Sequence, residues 1–147
     1  MKIEGLIHEV AEAIRNLYQI GDTRVFEQDF DDVQQSLENV AKTLRCIIVG
    51  WNGCEHTASE RARGDDPNAL YVKAEIVVSV YENPRENRSY GGAPHLLGMA
   101  AEIAKAIDNA ATEDMDDALH FVRITPIENL QHGVITCDVV FRTKKNL

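Results

Sequence analysis

Residues 70–82 read L-Y-V-K-A-E-I-V-V-S-V-Y-E, and this stretch decides the fold. Val72, Ala74, Ile76, Val78 and Val80 alternate with Tyr71, Lys73, Glu75, Ser79 and Tyr81, with Val77 the one apolar residue on the polar side. Successive side chains of a strand point to opposite faces, so this pattern predicts a sheet with one face on a core and the other toward water or a partner.

Outward from that strand the signals are equally local. Toward the N-terminus, Arg45–Trp51 is an apolar, β-branched run bounded by Asn52-Gly53, and it reads as a buried strand. The segment 52–69 between the two strands carries N-G, R-G and D-P signals and almost no large apolar residue. It reads as a long hairpin tip. Connections of this length without structure of their own are uncommon in compact domains, so the tip is expected to be mobile alone and ordered in an assembly.

Earlier still, Ile3, Leu6, Ile7, Val10, Ile14 and Leu17 recur at helical spacing, and the helix is expected to end near Ile20 with Gly21 as its cap. Thr23–Phe26 reads as a short strand. Asp29 or Asp31 caps a second helix, in which Val33, Leu37, Val40 and Leu44 share a face.

Toward the C-terminus, residues 83–93 form a Pro/Gly/Asn loop, and Pro94 suits a first helical turn. Leu96, Met99, Ala100, Ile103 and Ile107 then form an apolar stripe, widened by Leu97 and Ala104. An acidic turn over 110–117 leads to a strand over His120–Ile127, with Pro126 at an edge or bulge. A turn at His132-Gly133 precedes the last strand, Val134–Thr143, where Ile135, Cys137, Val139 and Phe141 face one way and Thr136, Asp138 and Arg142 the other. The expected architecture is one α+β domain spanning 1–147. Its mixed or antiparallel sheet has four to five strands, with helices on one face, in the order α-(β)-α-β-β-α-β-β.

The chain has 147 residues, enough for one domain with a sizeable core. Its net charge of −9 argues against nucleic-acid binding and against anionic membranes, because affinity for phosphate is built from Lys and Arg. A nucleic-acid module would also need a basic-aromatic strand face, which is missing. The acids cluster in Asp22–Glu38 and Asp108–Asp117, opposite a small basic tail of Arg142, Lys144 and Lys145. That asymmetry suits a charge-matched protein partner, while solubility alone accounts for it equally well. The acidic N-terminus is not a signal peptide, and nothing approaches the roughly twenty apolar residues of a membrane span. Three cysteines without an export signal read as reduced thiols in cytoplasm.

Chemical motifs are sparse, and no cofactor frame is present. Cys54-Glu55-His56 is the strongest metal or nucleophile candidate, yet structural zinc takes four ligands, and Cys46, Cys137, His95, His120 and His132 are scattered. A Cys–His pair also needs a held geometry that a loop tip does not provide. Cys46 and Cys137 read as core residues. Asp114, Asp116 and Asp117 lack the calcium-loop frame, and Gly91-Gly92 lacks either phosphate-loop frame, so the first reads as a solvated turn and the second as a hinge. Trp51, Tyr71, Tyr81 and Tyr90 flank the long loops, where aromatics either anchor a partner or pack strand ends. The residues placed to meet a partner are Trp51, Glu55, Arg61, Arg63, Tyr81 and Tyr90.

Three stretches carry a family resemblance. V-K-A-E-I-V-V-S-V-Y-E-N-P leads through a loop into L-L-G-M-A-A-E-I-A-K-A-I, the chain closes with G-V-I-T-C-D-V-V-F-R-T, and Glu27-Gln28-Asp29-Phe30 follows the first helix. In element order and pattern the chain resembles the tail terminator proteins of long-tailed phages, the lambda-like terminator and the tail-completion proteins of contractile-tailed prophages. It differs in placing the predicted helix Asp31–Leu44 before the next strand. No discrete motif matches, so no functional residue is carried over. The resemblance implies a structural protein, not an enzyme, without cofactor. It would assemble with itself into a ring, a hexamer in that family, that caps the tail tube and meets tube or head-completion proteins. Its location would be the bacterial cytoplasm during assembly and then the virion tail. The alternative is a small cytoplasmic enzyme or ligand-binding domain using the Cys54/His56 loop. Replacing Cys54 and His56 together by alanine separates the two: assembly is expected to survive, measured by native mass, whereas an enzyme or metal protein loses its activity or its metal.

Overall fold

Val72, Ala74, Ile76, Val78 and Val80 are each at most 2% exposed in the computed structural model, and Lys73 between them is exposed. The structure describes residues 3–17, 23–27, 45–56, 71–85, 95–110 and 118–146. The alternating strand, β3 (Tyr71–Glu82), has a neighbour on each side along its whole length. One is β2 (Arg45–His56) and the other β6 (Ile135–Asn146), both antiparallel to it. Directly opposed residues share a face, so Val49, Val78 and Val139 line up on one side, and Gly50, Val77 and Val140 on the other.

Four further elements complete the described fold: helix α1 (Ile3–Arg15), β1 (Arg24–Glu27), helix α2 (Leu96–Ile107) and β4 (His120–Ile124). A two-residue β5 (Glu128–Asn129) and a 3-10 turn at Gln131–Gly133 lead into β6. The sheet order is β1-β2-β3-β6-β4, with β5 also paired to β6. β1 runs parallel to β2, and every other pair is antiparallel, so the sheet is mixed. Parallel neighbours require a crossover of about a dozen residues or more, a length that segment 28–44 supplies. The helix predicted over 31–44 lies outside the described residues.

Both described helices pack on one face, as the sequence pattern predicts. Leu6, Val10 and Ile14 of α1 join Leu96, Met99, Ile103 and Ile107 of α2 over Ile47, Val49, Ile76, Val78 and Phe141. The small Ala100, fully buried, lets α2 lie close against the sheet. Arg15 ties α1 to the edge strand by donating from Nη2 to the Val25 carbonyl at 2.8 Å. At the other end of the layer, Asp108 after α2 accepts the Phe121 backbone N–H at 3.0 Å, and Asn109 N–H donates to Leu119 O at 2.8 Å. Asn109 takes a left-handed φ of 61°, a conformation Asn tolerates better than most residues.

Several boundaries differ from expectation. Helix α1 stops at Arg15 and not near Ile20, because Leu17 N–H bonds back to Ile14 O at 3.0 Å, tightening the last turn while Leu17 folds against the core. Asn52-Gly53 does not end β2. It forms a bulge between Trp51 and Cys54, with Gly53 at φ 93°, and the strand continues to His56. The tip predicted at 52–69 therefore starts later, and residues 57–70 lie outside the described set. Helix α2 begins at Leu96 with His95 at its N-cap, so Pro94 precedes the helix. The strand expected over His120–Ile127 is split: Thr125 N–H reaches Asp138 O at 2.9 Å and Pro126 has no N–H to continue the ladder. β5 follows as a sixth strand, where four to five were expected.

Ile103 is fully buried against the sheet. Ile103→Asp places an unpaired carboxylate there, at a cost of roughly 4 kcal/mol or more. The variant is expected to lose its cooperative urea transition by circular dichroism; a folded, soluble variant would show that the α2 stripe is not the core contact.

Candidate partner-binding face

The side of the sheet turned away from α1 and α2 is built in cross-strand rows. Ile48, Ser79 and Asp138 make one row, Gly50, Val77, Val140 and Arg123 the next, and Glu75, Arg142 and His120 a third. Beyond these, Glu55, Lys73 and Lys144 stand side by side. Between the rows lies an open groove of about 280 Å³, lined by Trp51, Glu75, Ser79, Tyr81, Arg123 and Asp138 over a floor of Val77 and Val140.

Two carboxylates organise its walls. Glu75 accepts from Asn52 Nδ2 at 2.9 Å and from Arg142 Nε at 3.4 Å, and Arg123 Nη2 lies 3.6 Å from it. Glu75 is 17% exposed, whereas the side chains of Arg123 and Arg142 are 50% and 55% exposed, so their free sides look into solvent. Pairs of this exposure contribute about 0–1 kcal/mol each and serve mainly to fix side-chain geometry. Asp138 accepts from Ser79 Oγ at 2.7 Å, and its own N–H donates to Thr125 Oγ1 at 2.8 Å.

A second apolar cluster sits beside the groove on the same face: Cys46, Ile48 and Val134, with Phe26 and Tyr81 against them. Burial pushes the Tyr81 phenol above its ordinary pKa, with the Ser79 hydrogen bond partly opposing and Asp138 and Cys46 adding to the rise. The arrangement offers hydrogen-bond acceptors, two guanidinium faces and aromatic rims. It is chemistry suited to recognising a polar surface.

Of the residues expected to meet a partner, Trp51 and Tyr81 both line this groove, Trp51 at 40% exposure. Glu55 is exposed on the same face, opposite Lys73. Arg61, Arg63 and Tyr90 lie outside the described residues, as do Gly91-Gly92 and Asp114, Asp116 and Asp117. Cys54 and His56 are not in a loop tip; they are exposed residues of β2, two apart on one side of the strand. Among the described residues no group of three or more His, Cys, Asp or Glu is placed to hold a metal. The groove's own Glu75, Arg123, Asp138 and Arg142 carry no sequence motif that marks them for this role. The polar side of β3 was the available signal, and the register with β6 and β4 was needed to use it.

No family model and no curated protein matches the chain. Among solved structures it is similar in fold to a chain of the "Virion of native gene transfer agent (GTA) particle", with a TM-score of 0.56 and 14% sequence identity. The match covers 97% of this chain and 95% of that one, so the likeness runs end to end. No described helix is long and apolar enough to cross a membrane.

The cysteines divide by environment. Burial pushes Cys46 from its ordinary 9.0 up to about 12, and burial with the neighbouring Asp138 charge pushes Cys137 up to about 11, while Cys54 is exposed. One thiol is expected to react with Ellman's reagent in the native chain and three in denaturant. Because the folded thiols hold their protons where unfolded ones release them, their contribution to stability is intact below pH 9 and is lost as pH rises toward 11–12. Urea midpoints are expected to fall across that range; a flat profile would mean the two thiols are solvated.

Proposed function

We propose that this chain is a structural subunit of a phage-like virion, acting as a tail terminator or tail-completion protein. In this reading copies assemble into a ring at the end of the tail tube, stop its growth and contribute to head–tail joining. The observation that carries it is the end-to-end fold likeness to a virion chain. The outer sheet face, with its groove and aromatic rims, supports a docking role over turnover of a small molecule. The acidic balance is also favourable, since a conduit for DNA works best when phosphate does not stick to its wall.

Native mass spectrometry and electron microscopy of the full chain, alone and mixed with its tube protein, test the reading. Closed rings are expected, bound at tube ends, and particles lacking the chain are expected to carry overlong tails or unjoined heads. Tails of normal length that join heads in its absence would overturn it.

A further inference from the structure

Arg123 of β4 and Arg142 of β6 share one carboxylate at the end of the groove. Arg142 Nε lies 3.4 Å from Glu75 Oε2, and Arg123 Nη2 lies 3.6 Å from Oε1, which also accepts from Asn52 Nδ2. Glu75 is therefore engaged on both oxygens, whereas each guanidinium carries five N–H donors and turns one nitrogen to it. Both arginine side chains are half exposed, and ion pairs of that exposure are weak enough to yield to a better-placed acceptor. Asp138, the other carboxylate of the groove, accepts from Ser79 and stands four residues along β6 from Arg142, about 13 Å away in an extended strand. Among the described residues it forms no ion pair with either arginine. Two cations thus meet at a single carboxylate, in a groove whose wall carries the exposed Trp51.

We infer that this end of the groove docks a surface aspartate or glutamate of a different protein of the same particle, its carboxylate meeting Arg123 and Arg142 as a second, external counter-ion. This docking role deepens the virion-subunit reading and rests on it for the partner's being a protein. The carboxylate follows from the donors. Planar guanidinium groups pair with carboxylates through two parallel N–H···O bonds, which are shorter and stronger than neutral ones. A protein source follows from the shape and the residue types. The hollow is open and about 280 Å³, under the roughly 300 Å³ at which small-ligand clefts begin. Trp, Tyr and Arg, the types that dominate protein–protein contact energies, stand together here as Trp51, Tyr81, Arg123 and Arg142. Nucleic acid is disfavoured, because a run of phosphates continuing along β6 would pass Asp138 and meet a chain of net charge −9.

Trp51 is the single tryptophan of the chain, so its emission reports on the groove. The test titrates the full chain with an acetylated, amidated hexapeptide of alternating glutamate and threonine, and with its glutamine counterpart, at about 50 and about 500 mM NaCl. The glutamate peptide is expected to shift Trp51 emission and to saturate at about 1 mM or below. It is expected to bind about tenfold tighter than the glutamine peptide and to weaken severalfold at high salt. R123Q/R142Q is expected to lose about tenfold in affinity or more, with R142Q alone falling between. K105Q removes one positive charge from the helix side of the sheet and is expected to match wild type. Circular dichroism checks the fold; should the double variant unfold, the exposed R142Q change carries the test. Emission unchanged up to about 10 mM peptide, or equal for the two peptides, overturns the docking site. Ring formation at tube ends, measured separately, then decides the virion-subunit reading on its own. Tighter binding of an oligothymidine of about ten nucleotides, lost in R123Q/R142Q, would assign the arginines to phosphate. A self-associated chain that the glutamate peptide dissociates would make a second copy the occupant. Either of these last two results overturns the inference.

Discussion

β3 is paired on both sides along its whole length, and its inward residues are almost wholly removed from water. The rest of the structure depends on that constraint. A strand with period-two alternation has one register that buries its apolar set; a slip of a single residue would send Ile76 and Val78 outward and Glu75 and Ser79 into the helices. Once β3 is fixed, the opposed residues of β2 and β6 are fixed with it, and the apolar sides of all three meet α1 and α2. Burial of this kind contributes about 25 cal/mol per Å² of apolar surface, and it is spread over both helices and three strands.

The same constraint creates the other face. Residues that cannot enter the core are brought together from strands distant in sequence. Glu75 meets Arg142 from 67 positions away, and Ser79 meets Asp138 from 59. The two partners of each bond are far apart along the chain, yet the pleat delivers them to facing positions. A groove with fixed polar walls thus follows from the core packing, and it costs little stability because the Glu75 and Asp138 carboxylates are each met by a hydrogen-bond donor.

Much of this was legible in sequence. The α+β class, the central alternating strand, the apolar stripe of α2 and the inward set of β6 all follow from periodicity, which is a local property. The short strand before segment 28–44 was anticipated within a residue or two, though not its parallel pairing. Boundaries were less legible. Asn52-Gly53 carries the same dipeptide signal whether it closes a hairpin or forms a bulge, and only the pairing opposite it, Ala74 against Cys54, tells them apart. The spacing predicts a longer α1 because Leu17 keeps the helical period even though its backbone has left the helix. The outer-face grouping was illegible for a different reason. It depends on register between strands, and the alternation of one strand does not specify which residue of another lies across from it.

One pair of opposed, buried charged residues bears on how that register is held. Glu82, at the end of β3, is 1% exposed and lies directly opposite Arg45 of β2, itself 8% exposed, with His95 Nδ1 3.7 Å from the carboxylate. Taking such charges out of water is expensive, and well-packed apolar residues often serve stability as well or better. Their value is in selection among alternatives. A β2–β3 pairing slipped by one residue would set Arg45 and Glu82 opposite uncharged residues instead of opposite each other, so the penalty falls more heavily on the wrong register. The contact also lies where the sheet meets the start of α2, so the element that caps the core and the strand that organises it are held to one alignment. With the register locked at this end, the outer rows of Ser79, Val77, Glu75 and Lys73 meet the same neighbours in every copy of the chain.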